Sequence, residues 1–166
     1  MINREQFIDS VRHEAAVIKH LYTKVPKDKL DYRPTPGQRS LQELLEYLPI
    51  TTATVAKRIV TNDWGQHGEG SAPIKEAARK DFPGTMDREM NALVAAVKAI
   101  PEPDFQAREV TLPGGRKMKL GEALLNFNLK FMTAYRMQLF LYLKSCGRTE
   151  LSTYNCWMGM DPPPKA

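Results

Sequence analysis

Few side chains in this sequence combine a residue type with a spacing that catalysis or metal binding requires. The chain has three histidines, His13, His20 and His67, and two cysteines, Cys146 and Cys156. His13 and His20 are seven positions apart, and the cysteines are ten apart. Structural zinc sites use much closer pairs of ligands. We therefore expect no metal site from these residues, and we expect exposed, non-functional histidines on helix one and reduced cysteine thiols.

Other sequence patterns that accompany enzymatic chemistry are also missing. The sequence has no Ser-His-Asp order, no phosphate-binding glycine loop, no dinucleotide-binding glycine motif and no paired-carboxylate signature. The pair Gly114-Gly115 follows Pro113 and is typical of a turn. The length of 166 residues fits one domain, and a hydrophobic content of 42% is ordinary for a globular protein.

Glu14 is the residue of the first helical pattern that most needs an explanation. Its angular position places it inside an apolar stripe. A carboxylate there must be paired, protonated or lining a polar pocket. Arg136 is the obvious partner, and Tyr47 or Tyr135 could donate a hydrogen bond instead. A slight rotation of the helix would alternatively bring Glu14 to solvent. The stripe consists of Phe7, Val11, Ile18 and Leu21.

Four long amphipathic patterns must position these side chains. The first spans about 3–25 and the second starts at Ser40, where Ser40 and Glu43 form the sequence of a capping box. Pro49 lies inside the second pattern, where a kink is expected. The third starts at Thr85 as N-cap, and the fourth spans about 121–145. Four such helices predict an all-α four-helix bundle.

The segments between and after the long helices are shorter. A short helix is expected at 73–80, and alternating apolar residues in 107–120 predict a β-hairpin just before the last helix. The bundle should occupy residues 1–147. The tail, 148–166, is proline-rich at its end, and we expect it to be extended, either packed on the bundle or leaving it.

Three stretches of the chain, within residues 3 to 147, resemble the DinB-like (damage-inducible) family of bacterial four-helix bundles. The first is the loop Val25-Pro26 through Leu30-Asp31-Tyr32-Arg33-Pro34 with Gly37-Gln38-Arg39-Ser40-Leu41. The second is Leu44-Leu45-Glu46-Tyr47-Leu48. The third is Leu120-Gly121-Glu122-Ala123-Leu124-Leu125 with Tyr135-Arg136-Met137-Gln138-Leu139 and Tyr142-Leu143. The resemblance implies the four-helix-bundle fold.

Members of that family typically bind a divalent metal through three histidines. The resemblance places those ligand positions at Tyr47 on helix two and at Phe131 and Tyr135 on the last helix. Phenylalanine has no lone pair to donate, and a neutral tyrosine is a poor ligand for zinc or nickel. We therefore expect no metal cofactor. The thiol-dependent transferase or isomerase activity of some members needs such a metal, so the resemblance implies the fold and not the activity.

The sequence favours a metal-free bundle that binds a small molecule or a partner protein without catalysis. The expected ligand residues lie around the former metal site. An enzyme that uses Glu14, Tyr47, Tyr135 and Arg136 is the alternative. A weak, non-specific nucleic-acid binder is a third possibility, because the net charge is +5 but scattered. Trp64 either walls a pocket or covers the bundle end. The expected ligand residues are Glu14, Tyr47, Phe131, Tyr135, Arg136 and Gln138.

The last helix is apolar on two sides, and this bears on assembly. Phe131 is expected at the buried centre, between Phe127 and Tyr135. The second side would be exposed in a monomer, which predicts a homodimer through this helix. The hairpin or the tail could cover it instead. No signal peptide or membrane-spanning run is visible, so we expect a cytoplasmic protein. The second side consists of Leu125, Leu129, Met132 and Phe140.

Overall fold

Reciprocal capping bonds start two of the long helices. The computed structural model describes residues 2–65, 68 and 70–164. Helix α1 (Arg4–Tyr22) begins at Asn3, whose side chain accepts the backbone N–H of Gln6 while the Gln6 side chain accepts the N–H of Asn3. Helix α2 (Leu41–Thr61) begins in the same way at Ser40 and Glu43, as predicted. These bonds satisfy N–H groups that have no partner within the helix. Helix α2 continues through Pro49.

The third long helix starts earlier than the sequence pattern indicated. Helix α3 (Ser71–Lys80) is followed directly by helix α4 (Phe82–Lys98). The N-cap of α4 is Asp81, whose carboxylate accepts the N–H of Gly84, so the expected cap at Thr85 is wrong. Thr85 is buried in the first turn and donates to the Asp81 carbonyl. Proline in a first helical turn is tolerated, because its missing N–H would have no partner there.

A hairpin forms where the sequence predicted one. Helix α5 (Glu102–Ala107), which was not predicted, leads into strands β1 (Glu109–Thr111) and β2 (Lys117–Lys119). The strands are antiparallel and pair Val110 with Met118, both of which are buried. Gly114 and Gly115 have φ angles of 84° and 81°. Such angles favour glycine, and they explain its presence in the turn.

The last helix contains a π-helical segment that the sequence pattern did not reveal. It comprises helix α6 (Leu120–Ala123), the π segment (Leu124–Leu129) and helix α7 (Lys130–Ser145) in unbroken succession. A π-helical turn holds one more residue than an α-helical turn. Positions that face inward after the segment therefore lie one residue further along than an α-helical period predicts. The inward stripe is Leu124, Asn128, Met132, Arg136, Leu139 and Leu143.

This shift overturns the expected burial of two neighbouring residues. Phe131 is 38% exposed, so its assignment to the buried centre is wrong. Met132, which was expected on the second apolar side, is fully buried in the core. Leu125, Leu129 and Phe140 are half-buried. The core lies between α1, α2, α4 and the last helix, where apolar side chains from all four meet.

The tail folds back on α1 and is not simply extended. Leu151 is buried, and a second π-helical turn (Tyr154–Met158) places Cys156 against the bundle. Arg136 Nη1 donates to the Cys156 carbonyl, and Gly159 lies so close to Val17 that a β-carbon would be 3.2 Å from its Cα. The burial of Leu151 and Cys156 and the bond from Arg136 thus explain why the tail does not adopt the expected extended conformation. No helix in the described residues is long and apolar enough to cross a membrane.

Candidate functional site

A groove of about 880 Å³ runs along one face of α2. Tyr47, Ile50 and Thr54 line its floor, because residues three or four apart share a helix face. Phe127 and Phe131 form the wall from the last helix. The volume lies in the range of sites that take small organic ligands. The shifted register of the last helix turns Phe131 outward into this wall, while the half-buried Phe127 also packs against the core.

The three positions that the resemblance assigned to metal ligands do lie together. The rings of Tyr47 and Tyr135 are 5.0 Å apart and nearly perpendicular, and the rings of Phe131 and Tyr135 are 6.5 Å apart. Burial, and then the neighbouring Tyr135, raise the pKa of the Tyr47 phenol. A phenolate ligand is therefore disfavoured at this position. These side chains form an aromatic cluster and do not fit a transition metal.

The described residues offer no other set of metal ligands. No group of three or more His, Cys, Asp or Glu side chains within the described ranges is arranged to hold an ion. His67 lies outside the described residues. That the protein carries no metal cofactor therefore stays a prediction.

Arg39 stacks on the aromatic cluster and was missed in the sequence. Its guanidinium carbon lies 4.0 Å from the ring centroid of Tyr47 and 5.9 Å from that of Tyr135. Gln138 Nε2 donates to the Tyr142 hydroxyl, which in turn donates to the Arg39 carbonyl oxygen. Gln138 therefore does not line the groove, and its bond to Tyr142 helps to fix the backbone of Arg39. The spacing 39, 43, 47 around the capping box was the signal that could have identified Arg39.

Both carboxylates that line the groove are held in ion pairs. Glu43 accepts a hydrogen bond from Arg33 Nη1 at 2.7 Å and another from the Ser40 N–H. These two bonds, the first above all, lower the pKa of Glu43 to about 2. Glu46 is buried and accepts from Arg79 Nε at 2.8 Å. Each of these two carboxylates therefore has a dedicated cationic partner.

The far end of the groove is closed by Trp64. Its Nε1 donates to the Thr111 carbonyl at 2.8 Å, which fixes the indole against β1 of the hairpin. Trp64 was expected either to wall a pocket or to cover the bundle end, and the structure places it in the wall of the groove. With its N–H used, the indole offers the groove an apolar face.

Glu14 and Arg136 do not belong to the groove. Arg136 Nε lies 2.7 Å from Glu14 Oε2; the Arg136 side chain is fully buried, and that of Glu14 is half-buried. Glu14 thus has the predicted partner. The expected pocket that combined this pair with Tyr47 and Tyr135 is not formed, because the register of α7 turns Arg136 towards α1 and Tyr135 towards α2.

Two histidines of α1 hold the tail instead of lying unused. His13 Nε2 is 2.8 Å from the Trp157 carbonyl oxygen. His20 is half-buried, contacts Asn155 at 3.1 Å and lies 3.6 Å from the Asp161 carboxylate. The expectation that both are exposed and without a role is therefore wrong for His20. Sequence reasoning could not find these contacts, because the tail was expected to be extended.

Comparisons with known proteins inform the fold. Neither the protein-family models nor the curated proteins include a match to this chain. Among solved structures, the chain is similar to the crystal structure of a DinB-like protein (YjoA) from Bacillus subtilis, with a TM-score of 0.66 and 22% sequence identity. The match covers 90% of this chain and 96% of that chain. The chain therefore has the DinB-like four-helix-bundle fold, as the resemblance implied.

Proposed function

We propose that this protein binds a small molecule in the groove along α2, without catalysing a reaction on it. The observation that carries the proposal is a cavity of about 880 Å³ with an aromatic wall and charged groups at its rim. Binding sites for small organic molecules combine a largely apolar lining with a few placed polar groups.

Among the described residues, the groove lacks the groups that its enzymatic alternatives would need. A metal-dependent reaction needs donors where Tyr47, Phe131 and Tyr135 stand. Acid–base chemistry needs a group whose pKa is near the working pH. The pKa of Glu43 is about 2, and burial raises the pKa of Tyr47 above its usual range. Glu14, on which the acid–base alternative relied, faces Arg136 on the other side of the last helix.

A thermal-shift screen against a metabolite library tests this proposal with matched variants. Thr54→Trp fills the groove, and Ala95→Trp adds the same side chain on the exposed face of α4. A ligand at a hundred times its Kd adds about 2.7 kcal/mol of stability. We expect at least one compound to raise the Tm of the wild type and of Ala95→Trp, but not of Thr54→Trp. Compounds that stabilise all three proteins equally, or no stabilising compound at all, would contradict the proposal.

A further inference from the structure

We propose that the groove selects ligands with a carboxylate and a flat apolar body, and that Arg39 holds the carboxylate. This inference rests on the proposed function of the groove as a small-molecule site, and it names the class of ligand.

The charges around the groove leave a positive surplus. Each lining carboxylate has a cation of its own outside the lining, Arg33 for Glu43 and Arg79 for Glu46. Arg39, Arg58 and Lys75 line the groove as well, and of these Arg39 and Lys75 form no ion pair in the part of the chain that the structure describes. Because the acids are already neutralised, an anion entering the groove meets net positive charge. A site of this kind favours anions over neutral molecules of the same shape.

Arg39 is prepared to bind a carboxylate. A guanidinium that lies over an aromatic ring keeps the N–H groups of its edge for acceptors, and these match the two oxygens of a carboxylate. Tyr47 supports the guanidinium at 4.0 Å, and the Tyr142 hydroxyl fixes the backbone of Arg39. Ordering a long side chain before the ligand arrives lowers the entropy that binding costs. Lys75, on α3, lacks such support and contributes charge without a fixed direction.

The rest of the groove fits a flat apolar body. Phe127 and Phe131 present rings that are 6.1 Å apart, and Trp64 presents an indole whose N–H is already bonded to Thr111. Aromatic walls of this kind bind planar rings by stacking or edge-to-face contacts. The ligand that satisfies both ends is therefore an aromatic carboxylate.

A pair of probes separates this inference from the proposed function. Isothermal titration of the full chain compares 2-naphthoate with 2-naphthamide, which has the same shape and no charge. We expect naphthoate to bind at least about tenfold more tightly. Equal affinities would contradict the preference for carboxylate and leave the groove as a small-molecule site. If neither probe binds, the assignment of an aromatic carboxylate is contradicted, whereas the proposed function fails only if the thermal-shift screen fails as well.

Two variants of equal charge then test the role of Arg39. Arg39→Gln removes the guanidinium from the groove, and Arg12→Gln removes one from the exposed face of α1. We expect Arg39→Gln to weaken naphthoate binding about tenfold and to change naphthamide binding less than about twofold. Arg12→Gln should leave both unchanged. An equal effect of the two variants, or a loss of naphthoate binding in Lys75→Gln alone, would overturn the assignment to Arg39. Unfolding curves of all variants confirm that the fold is retained.

Discussion

A buried asparagine joins the two helices that wall the groove. Asn128 is fully buried, and its Nδ2 donates to the carbonyl oxygens of Thr51 at 2.8 Å and Thr52 at 2.7 Å. Its Oδ1 has no hydrogen-bond partner among the described residues. The side chain therefore acts as a donor only, and one of its polar atoms is buried at a cost.

A charged and an apolar side chain at position 128 should consequently change the free energy of unfolding by different amounts. Asn128→Asp places a carboxylate against two carbonyl oxygens, and we expect it to lower the free energy of unfolding by about 3 kcal/mol or more at neutral pH. Asn128→Leu also removes the unpartnered Oδ1, so its loss should stay under about 1.5 kcal/mol. Urea denaturation measures both variants. Equal losses would show that a carboxylate at this position is not repelled by the carbonyl oxygens of Thr51 and Thr52.

At the scale of elements, the four helices and the hairpin follow from local patterns, but the register of the last helix does not. The capping box of Ser40 and Glu43 and the pairing of Val110 with Met118 were readable because they depend on near neighbours. Inward positions were predicted at Phe127, Phe131 and Tyr135, one residue before the buried Asn128, Met132 and Arg136, because the apolar pattern of this helix is compatible with both registers. The pair of Tyr47 and Tyr135 was found by resemblance, and Arg39 and Trp64 depend on tertiary contacts.

The π segment makes a prediction about two adjacent residues. Met132 is fully buried and Phe131 is 38% exposed, so truncating the smaller side chain should cost more. We expect Met132→Ala to lower the free energy of unfolding by about 2–5 kcal/mol and Phe131→Ala by about 1–2 kcal/mol. Chemical denaturation measures the free energy of unfolding of both variants. A larger loss for Phe131→Ala would mean that the last helix has a regular α-helical register.

The tail is an element whose attachment should depend on pH. Burial, and then the charge of Lys24, lower the pKa of His20, while Asp161 opposes them. Release of the tail would expose His20 and remove Asp161, while Lys24 would stay close. Because burial has the largest influence on its pKa, protonation of His20 is harder in the docked state than in the released state. The contribution of His20 to docking is complete above the pKa of the released state and is lost as the pH falls through the lowered pKa.

Hydrogen exchange of the tail amides measures this dependence. Protection factors, corrected for intrinsic rates, should be smaller at about pH 5.5 than at about pH 7.5 in the wild type. The His20→Gln variant has no titrating group at this position, and its protection should change less. If the two proteins respond alike, His20 does not control the docking.

At the scale of the whole molecule, a homodimer through the last helix stays a prediction. Leu125, Leu129 and Phe140 are half-buried, and Leu141 is 53% exposed. The tail packs on α1. We expect light scattering at micromolar concentration to give about twice the chain mass of 18.8 kDa. Leu141→Glu should then shift the mass towards the monomer, because an unpaired charge in an apolar interface is costly. A mass of one chain for the wild type would mean that the helix is covered internally.

The π segment also determines where the last helix tolerates the deletion of one residue. A π turn absorbs one extra residue locally, so the helix on either side keeps its orientation. Deletion of Asn126, whose side chain bonds to Glu122 and Lys130 of its own helix, would convert the segment to a regular turn. Met132 and Arg136 would still face inward. Ala134 lies in regular α-helix, so its deletion would rotate the rest of α7 by about 100° relative to the core. A deletion of one residue should therefore be tolerated at 124–129 and should prevent folding in α7.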